Sequence, residues 1–317
     1  MLGPMDAVVI EDGELHYRTR PDPEPGDTEL LVEVRAAGLN AADLLQRRGL
    51  YPAPPGVPAD IPGLELAGEV LSVGPQVTRF APGDRVMAIV GGGGQATMAT
   101  VDQTHAVAVP PGIPWDQAGG FPEAFFTAHD ALVTQCGLQV GDRVLVTGAA
   151  GGVGTAAVQL AAAAGAHVVA SVRDPSRHGP VAALGAAEVI TPEDTVAHGP
   201  YDVVVELVGA ISLPVVLTSL AQGGRVAVIG VGSGARVELD LRQLMARRAA
   251  VRGSTLRSRS LEDKAQVAGA VARHVVPLLA TGRIRVPVTA TFPMGDAPDA
   301  YRHFAEEAKV GKVVLVR

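Results

Sequence analysis

One stretch constrains this chain more than any other: Val144-Leu-Val-Thr147-Gly148-Ala149-Ala150-Gly151-Gly152-Val153-Gly154. Apolar and β-branched residues run into a glycine-rich turn, which opens into the alanine-rich Thr155–Ala164. The spacing predicts a strand, a tight turn and a helix. Glycines at 148, 151 and 154 let the turn close and bring backbone N–H groups to a pyrophosphate, while the helix N-terminus adds partial positive charge. This makes the backbone of Ala150, Gly151, Gly152 and Val153 a candidate dinucleotide site. The spacing is G-x-x-G-x-x-G rather than G-x-G-x-x-G, so a purely structural turn remains the alternative. His167–Val172 reads as a second strand, ending where a dinucleotide fold receives the adenosine ribose.

A chain of 317 residues is long enough for two domains. Its net charge of −7 argues against nucleic acid or an anionic membrane surface as the main partner, and a cytoplasmic small-molecule role fits better. Cys136 is the one cysteine, which excludes an internal disulfide and a zinc cage of thiolates. The eight histidines form no short ligand cluster. The first residues lack the basic end and apolar core of a signal peptide. Gln159, Gly165 and His167 interrupt Thr155–Val172, so no membrane span is expected.

The first third is punctuated by turns, with strands expected at Ala7–Ile10, Leu30–Ala36, Gly68–Val73 and Arg85–Val90. Five prolines within Tyr51–Gly63 stiffen a long loop suited to walling a pocket. Gly83-Asp-Arg-Val86 recurs as Gly141-Asp-Arg-Val144, a local way to launch a strand rather than a repeat. Helical patterning begins around Pro110–Phe126. Strands and helices then alternate: helix Val181–Leu184, strand Glu188–Ile190, strand Tyr201–Leu207, helix Leu213–Ala221 and strand Arg225–Ile229. That alternation is the signature of a doubly wound parallel sheet. A helical segment Leu261–Thr281, a strand Val286–Phe292, a short helix and a strand Lys312–Val316 are too few to fold alone, so the tail is expected to complete the N-terminal domain.

Taken together, the chain resembles the medium-chain dehydrogenase/reductase superfamily in its zinc-free quinone oxidoreductase (zeta-crystallin-like) branch, most closely the tumour-suppressor-inducible subgroup. The resemblance rests on Gly38-Leu-Asn40-Ala-Ala-Asp43-Leu-Leu-Gln46, Pro62-Gly-Leu-Glu65-Leu-Ala-Gly68, Gly91-Gly-Gly-Gly-Gln95, Pro122-Glu-Ala-Phe-Phe-Thr127, the glycine turn and Gly253-Ser-Thr-Leu-Arg257-Ser-Arg259. It implies a discontinuous GroES-like β-rich domain over 1–119 and 255–317, with a Rossmann NADPH-binding domain over 120–254 inserted in it. Zinc-dependent members have Gly-His-Glu where Gly63-Leu64-Glu65 stands, and a cysteine where Asn40 stands; neither replacement ligates zinc.

The resemblance further implies hydride transfer from NADPH to a quinone in a homodimer. A quinone becomes a stabilised aromatic anion on taking hydride, so no Lewis acid is required. Asn40 heads the helix Ala41–Arg48 as an N-cap with Asp43 three residues on, and by resemblance also orients the nicotinamide or quinone. Asp43 is structural or catalytic, and Tyr51 faces substrate or simply packs. Thr127, Gly230, Val231, Ser254, Leu256, Arg257 and Lys312 are implied contacts of the nicotinamide side. Val172 occupies the acidic position of NAD-type enzymes, and Arg173 and Arg177 stand ready for a 2′-phosphate or are merely solvated. Asp174 counts against that pairing, and Thr191-Pro192 replaces a tyrosine that relatives use there. Reduction of an enone, alkenal or acyl thioester is the alternative reaction, and an NADPH-binding sensor or regulator with little turnover is the alternative class.

Overall fold

The computed structural model describes residues 4–306 and 309–317. Among them, residues up to Glu123, from Leu256 to Glu306 and Lys312–Arg317 form unit 1; Ala124–Thr255 with Lys309–Gly311 form unit 2. The first junction therefore falls inside the helix Pro122–His129, where 120 was expected, because the helix runs on without a break.

Unit 2 is built on a six-stranded sheet in the order Glu188–Ile190, His167–Ser171, Arg143–Val146, Tyr201–Glu206, Leu220–Val228, Ala250–Gly253. All five pairings are parallel. Numbered along the chain this is 3-2-1-4-5-6, the doubly wound order, with its switch point between the first and fourth strands. The inner strands are near-continuous buried apolar runs, as a sheet covered on both faces requires. Helix Gly152–Ala163 begins three residues before the expected Thr155, because the glycines of the turn already supply its first turn.

Several expected elements shift for local reasons. Asp174 caps a 3₁₀ turn Pro175–Arg177, so the next helix is His178–Ala182 rather than Val181–Leu184. The helix after Ser212 ends at Thr218, and the strand Leu220–Val228 starts ahead of the expected Arg225, absorbing Gly223 and Gly224 in a register shift. The predicted helix Leu261–Thr281 is two, Leu261–His274 and Val276–Ala280, because Pro277 has no N–H to continue the ladder.

Unit 1 holds a seven-stranded sheet with the path Val288–Pro293, Lys312–Val316, Glu29–Gly38, Glu65–Val73, Arg85–Ile89, Ala106–Ala108, and Met98–Asp102 paired to Glu29–Gly38. Met5–Glu11 and Glu14–Arg20 form a separate hairpin. Along Glu29–Gly38 burial alternates and then becomes complete near Gly38, where the returning strand Lys312–Val316 pairs with it. Sequence reading missed Glu14–Arg20, whose outer positions are polar, and the short Met98–Asp102 and Ala106–Ala108. Both Gly-Asp-Arg-Val stretches do open strands, on Gly83 and Gly141 at positive φ.

Candidate functional site

In unit 2 the glycine turn forms one wall of a cavity of about 810 Å³, which also meets Ser171, Arg173, Arg177, Val208 and Ser212. Gly148 sits at φ +59, which suits a residue without Cβ. A Cβ on Gly154 would lie 2.6 Å from the Gly148 carbonyl and 2.7 Å from the Ala149 Cα, so only glycine lets the helix pack this tightly on the turn. Gly151 is the N-cap, and the N–H groups of Gly152 and Val153 open the helix with no preceding turn to bond. Ala150 is buried, whereas Gly151, Gly152 and Val153 stay partly open.

Sequence reading gave no role to the carboxylate that shapes this cavity. Glu206, wholly buried at the end of its strand, accepts the N–H of Val208 (2.7 Å) and Gly209 (2.8 Å) and the hydroxyls of Thr147 (3.1 Å) and Ser212. Thr147 in turn accepts the Leu207 N–H at 2.8 Å. The loop after the fourth strand is thereby fixed against the glycine turn. Gly230 lies against it: a Cβ there would meet the Leu207 carbonyl at 2.3 Å. Val231 is exposed, and the Ser254 hydroxyl donates to Asp130 at 3.0 Å. Thr127 is buried.

At the other end of the cavity Val172 is buried, and Arg173 is exposed with no acceptor among the described residues. Arg177 donates its Nε to Asp174 at 3.1 Å, leaving both terminal nitrogens of its guanidinium. Ser176, then Arg177, hold the Asp174 carboxyl below its ordinary range, and the ion pair sets its charge against that of Arg177. Glu193 also lines the cavity and opposes an anion there. A turn, open helix N–H groups and two arginines fit a phosphorylated dinucleotide.

Unit 1 carries a second polar centre. Lys312 is buried and gives its three protons to Glu65 Oε1 (2.6 Å), Asn40 Oδ1 (2.6 Å) and the Leu39 carbonyl (2.9 Å). Lys312 therefore has no proton left for a cofactor, against expectation. The Asn40 amide donates to Glu65 Oε1 at 2.9 Å and to the Gly38 carbonyl at 3.3 Å. Both its protons are committed, so it can meet a ligand only as an acceptor. As expected, it heads the helix Ala41–Arg47 with Asp43 as its capping-box partner, which accepts the Asn40 N–H at 2.8 Å, and its side-chain oxygen also meets the ion pair. Gly38 makes this approach possible, since a Cβ would stand 2.3 Å from Glu65 Oε1.

Asp43 is buried and uses its two oxygens on the N–H groups of Asn40 and Gly63 (3.2 Å), so it positions the loop and touches no open space. Burial pushes its carboxyl up to about 6. Arg257, buried, donates to Gly91 O (2.7 Å), Tyr51 O (2.8 Å) and Gln46 Oε1 (2.6 Å) and stacks 4.9 Å from the Tyr51 ring. It pins the proline-rich loop with three of its five N–H donors, and its neighbour Leu256 is core. The Tyr51 phenol makes no hydrogen bond among the described residues, and burial, then Glu123, raises its pKa. Half-buried Glu123 gives its N–H to Glu65 Oε2 at 2.8 Å; burial and the Glu65 charge push its carboxyl up to about 8. Sequence reading quoted Glu65 and Glu123 within motifs without seeing either role.

These donors do not fit a zinc ion. Leu64 is apolar core, Cys136 is buried with its thiol pushed up to about 11, and the cation at Glu65 is Lys312 itself. No helix among the described residues is long and apolar enough to cross a membrane.

The profile of the Zinc-binding dehydrogenase family matches residues 152–273, and that of the Alcohol dehydrogenase GroES-like domain matches residues 26–135. Quinone oxidoreductase of Lama guanicoe is 30% identical over 305 residues, 93% of this chain and 90% of its own. Erythronolide synthase EryA2 of Saccharopolyspora erythraea is 38% identical over 297 residues, 91% of this chain but only 8% of that protein. The crystal structure of a Pseudomonas syringae quinone oxidoreductase superposes with TM-score 0.87 over the full length of both chains at 28% identity.

Proposed function

Because the chain belongs to the medium-chain dehydrogenase/reductase superfamily, among its quinone-oxidoreductase-like members, we propose that this oxidoreductase uses NADPH to reduce a quinone without zinc. When bound, the nicotinamide supplies hydride. The observation that carries the reading is the unpaired Tyr51 phenol: every proton of Asn40 and Lys312 is already committed, and Tyr51 is left as an open donor.

In this reading the open N–H groups of Gly152 and Val153 bind pyrophosphate, and Arg173 with Arg177 binds the 2′-phosphate. Arg257 fixes the Tyr51 backbone so that the phenol meets the acceptor oxygen, whose negative charge grows as hydride arrives. The Lys312–Glu65–Asn40 network ties the start of the helix Ala41–Arg47 to the strands that begin at Glu65 and Lys312. A cytoplasmic homodimer is part of the same reading, and sedimentation of the purified protein checks the assembly. Reduction of an enone or unsaturated thioester is the second reading, favoured by the higher identity with a stretch of a synthase.

Anaerobic oxidation of NADPH, followed optically with ortho- and para-quinones, enones and acyl thioesters in parallel, tests the proposal. Turnover of quinones that falls at least tenfold in Tyr51→Phe is expected. Turnover of enones or thioesters alone moves the function to double-bond reduction, and cofactor binding without turnover overturns both.

A further inference from the structure

Unit 1 contains a cavity of about 450 Å³ separate from the residues assigned above to cofactor and acceptor. That volume lies within the ~300–1,000 Å³ typical of small-molecule sites. Its walls are mostly apolar, with Pro54, Val57, Pro58, Ile61, Ile89 and Met98 among them. One end is formed by Lys264, in the first turns of the helix Leu261–His274. Only 9% of Lys264 is exposed, and its ammonium has neither an ion pair nor a hydrogen-bond acceptor among the described residues. Most of the Lys264 side chain is covered while its ammonium tip keeps contact with solvent, which leaves that charge open to a ligand in the cavity.

Two arginines lie near the lysine. Arg257 acts on Lys264, and its own acceptors are two carbonyls and an amide oxygen, all neutral. Arg259 lines the same cavity. His105 donates Nε2–H to the Leu261 carbonyl at 3.0 Å and is kept from protonation by burial. The nearby acids do not neutralise the lysine. Glu123 acts on it only from beyond ion-pair distance; Glu29 and Asp102 line the cavity and keep their charge, but their oxygens are turned to the Gly26 N–H and to Thr28 and Thr104 and neither forms an ion pair with Lys264. Glu262 and Asp263 are exposed. Desolvation, then Arg257, lowers the Lys264 pKa, as expected of a cation lacking its counter-ion.

We infer that this cavity binds an organic anion, a carboxylate or phosphate head paired with Lys264 and carrying a short apolar chain against the proline-lined walls. The inference needs neither bound cofactor nor turnover, so it stands or falls independently of the proposed reaction.

Calorimetric titration of the whole purified protein with octanoate, octyl phosphate, octanol and octylammonium tests it. At least one of the two anions should bind at least tenfold more tightly than octanol, with octylammonium weakest, and preference between the anions identifies the head group. Lys264→Gln should lose at least tenfold of that affinity and Lys264→Arg should keep it. Lys264→Met should melt at a higher temperature than the unliganded wild type, and octanoate or octyl phosphate should raise the wild-type melting temperature only. Octanol binding as tightly as the anions, unchanged affinity in Lys264→Gln, or no binding would overturn the assignment.

Discussion

An ammonium has three protons to give, and Lys312 gives all of them within unit 1. The pair with Glu65 is buried on both sides, so removing one partner strands the other charge. Lys312→Met should destabilise the protein by about 3 kcal/mol, read from the denaturant midpoint, and Glu65→Leu in the same chain should restore much of it. Equal instability of the single and double variants would show that packing, not charge, is at stake. Glu123 gives a pH signature. The folded protein holds its proton to about pH 8, whereas an unfolded glutamate releases it near ~4.3. The folded state then binds more protons in between, and stability falls as pH rises through that window. Glu123→Gln should therefore gain about 2 kcal/mol over wild type at pH 9, discounted for its half exposure, and match it at pH 5. Parallel stability curves across that range would refute this.

At the scale of elements, the glycine turn was legible because its function and its fold ask for the same residues. Gly148 needs positive φ and Gly154 needs close packing, and both needs are written as glycine. Gly154→Ala should cost about 2 kcal/mol of stability despite the better helix propensity of alanine, and weaken NADPH binding at least tenfold in a fluorescence titration. Retained binding would mean that the turn relaxes freely. What the sequence hid was partnership across distance. Lys312 stood in a family-like position, but nothing local shows that Glu65, Asn40 and the Leu39 carbonyl take its three protons, because only the pairing of the returning strand Lys312–Val316 with Glu29–Gly38 brings the lysine beside them. Arg257 was hidden the same way: its acceptors at Gln46, Tyr51 and Gly91 are far upstream. Glu206 ends a strand that reads as ordinary, and only the register beside Thr147 shows it holding a loop.

Across the molecule as a whole, the work is divided between the units. Unit 2 carries the features that fit a phosphorylated dinucleotide, and unit 1 carries the phenol and the buried Lys312–Glu65 network. The alternation of strands and helices, and the tail's return to the first domain, could be read from periodicity because each follows from burying apolar faces. The choice between NADPH and NADH could not, because it depends on where two arginines point. Asp174 pairs with Arg177, Arg173 has no acceptor among the described residues, and Glu193 lines the same cavity. The most direct test of the central claim is the ratio of kcat/KM for NADPH over NADH, with one quinone as acceptor, in wild type and in Arg173→Ala/Arg177→Ala. Wild type should prefer NADPH by tenfold or more, and that preference should collapse toward unity in the double variant. A ratio that the double variant leaves unchanged would contradict it.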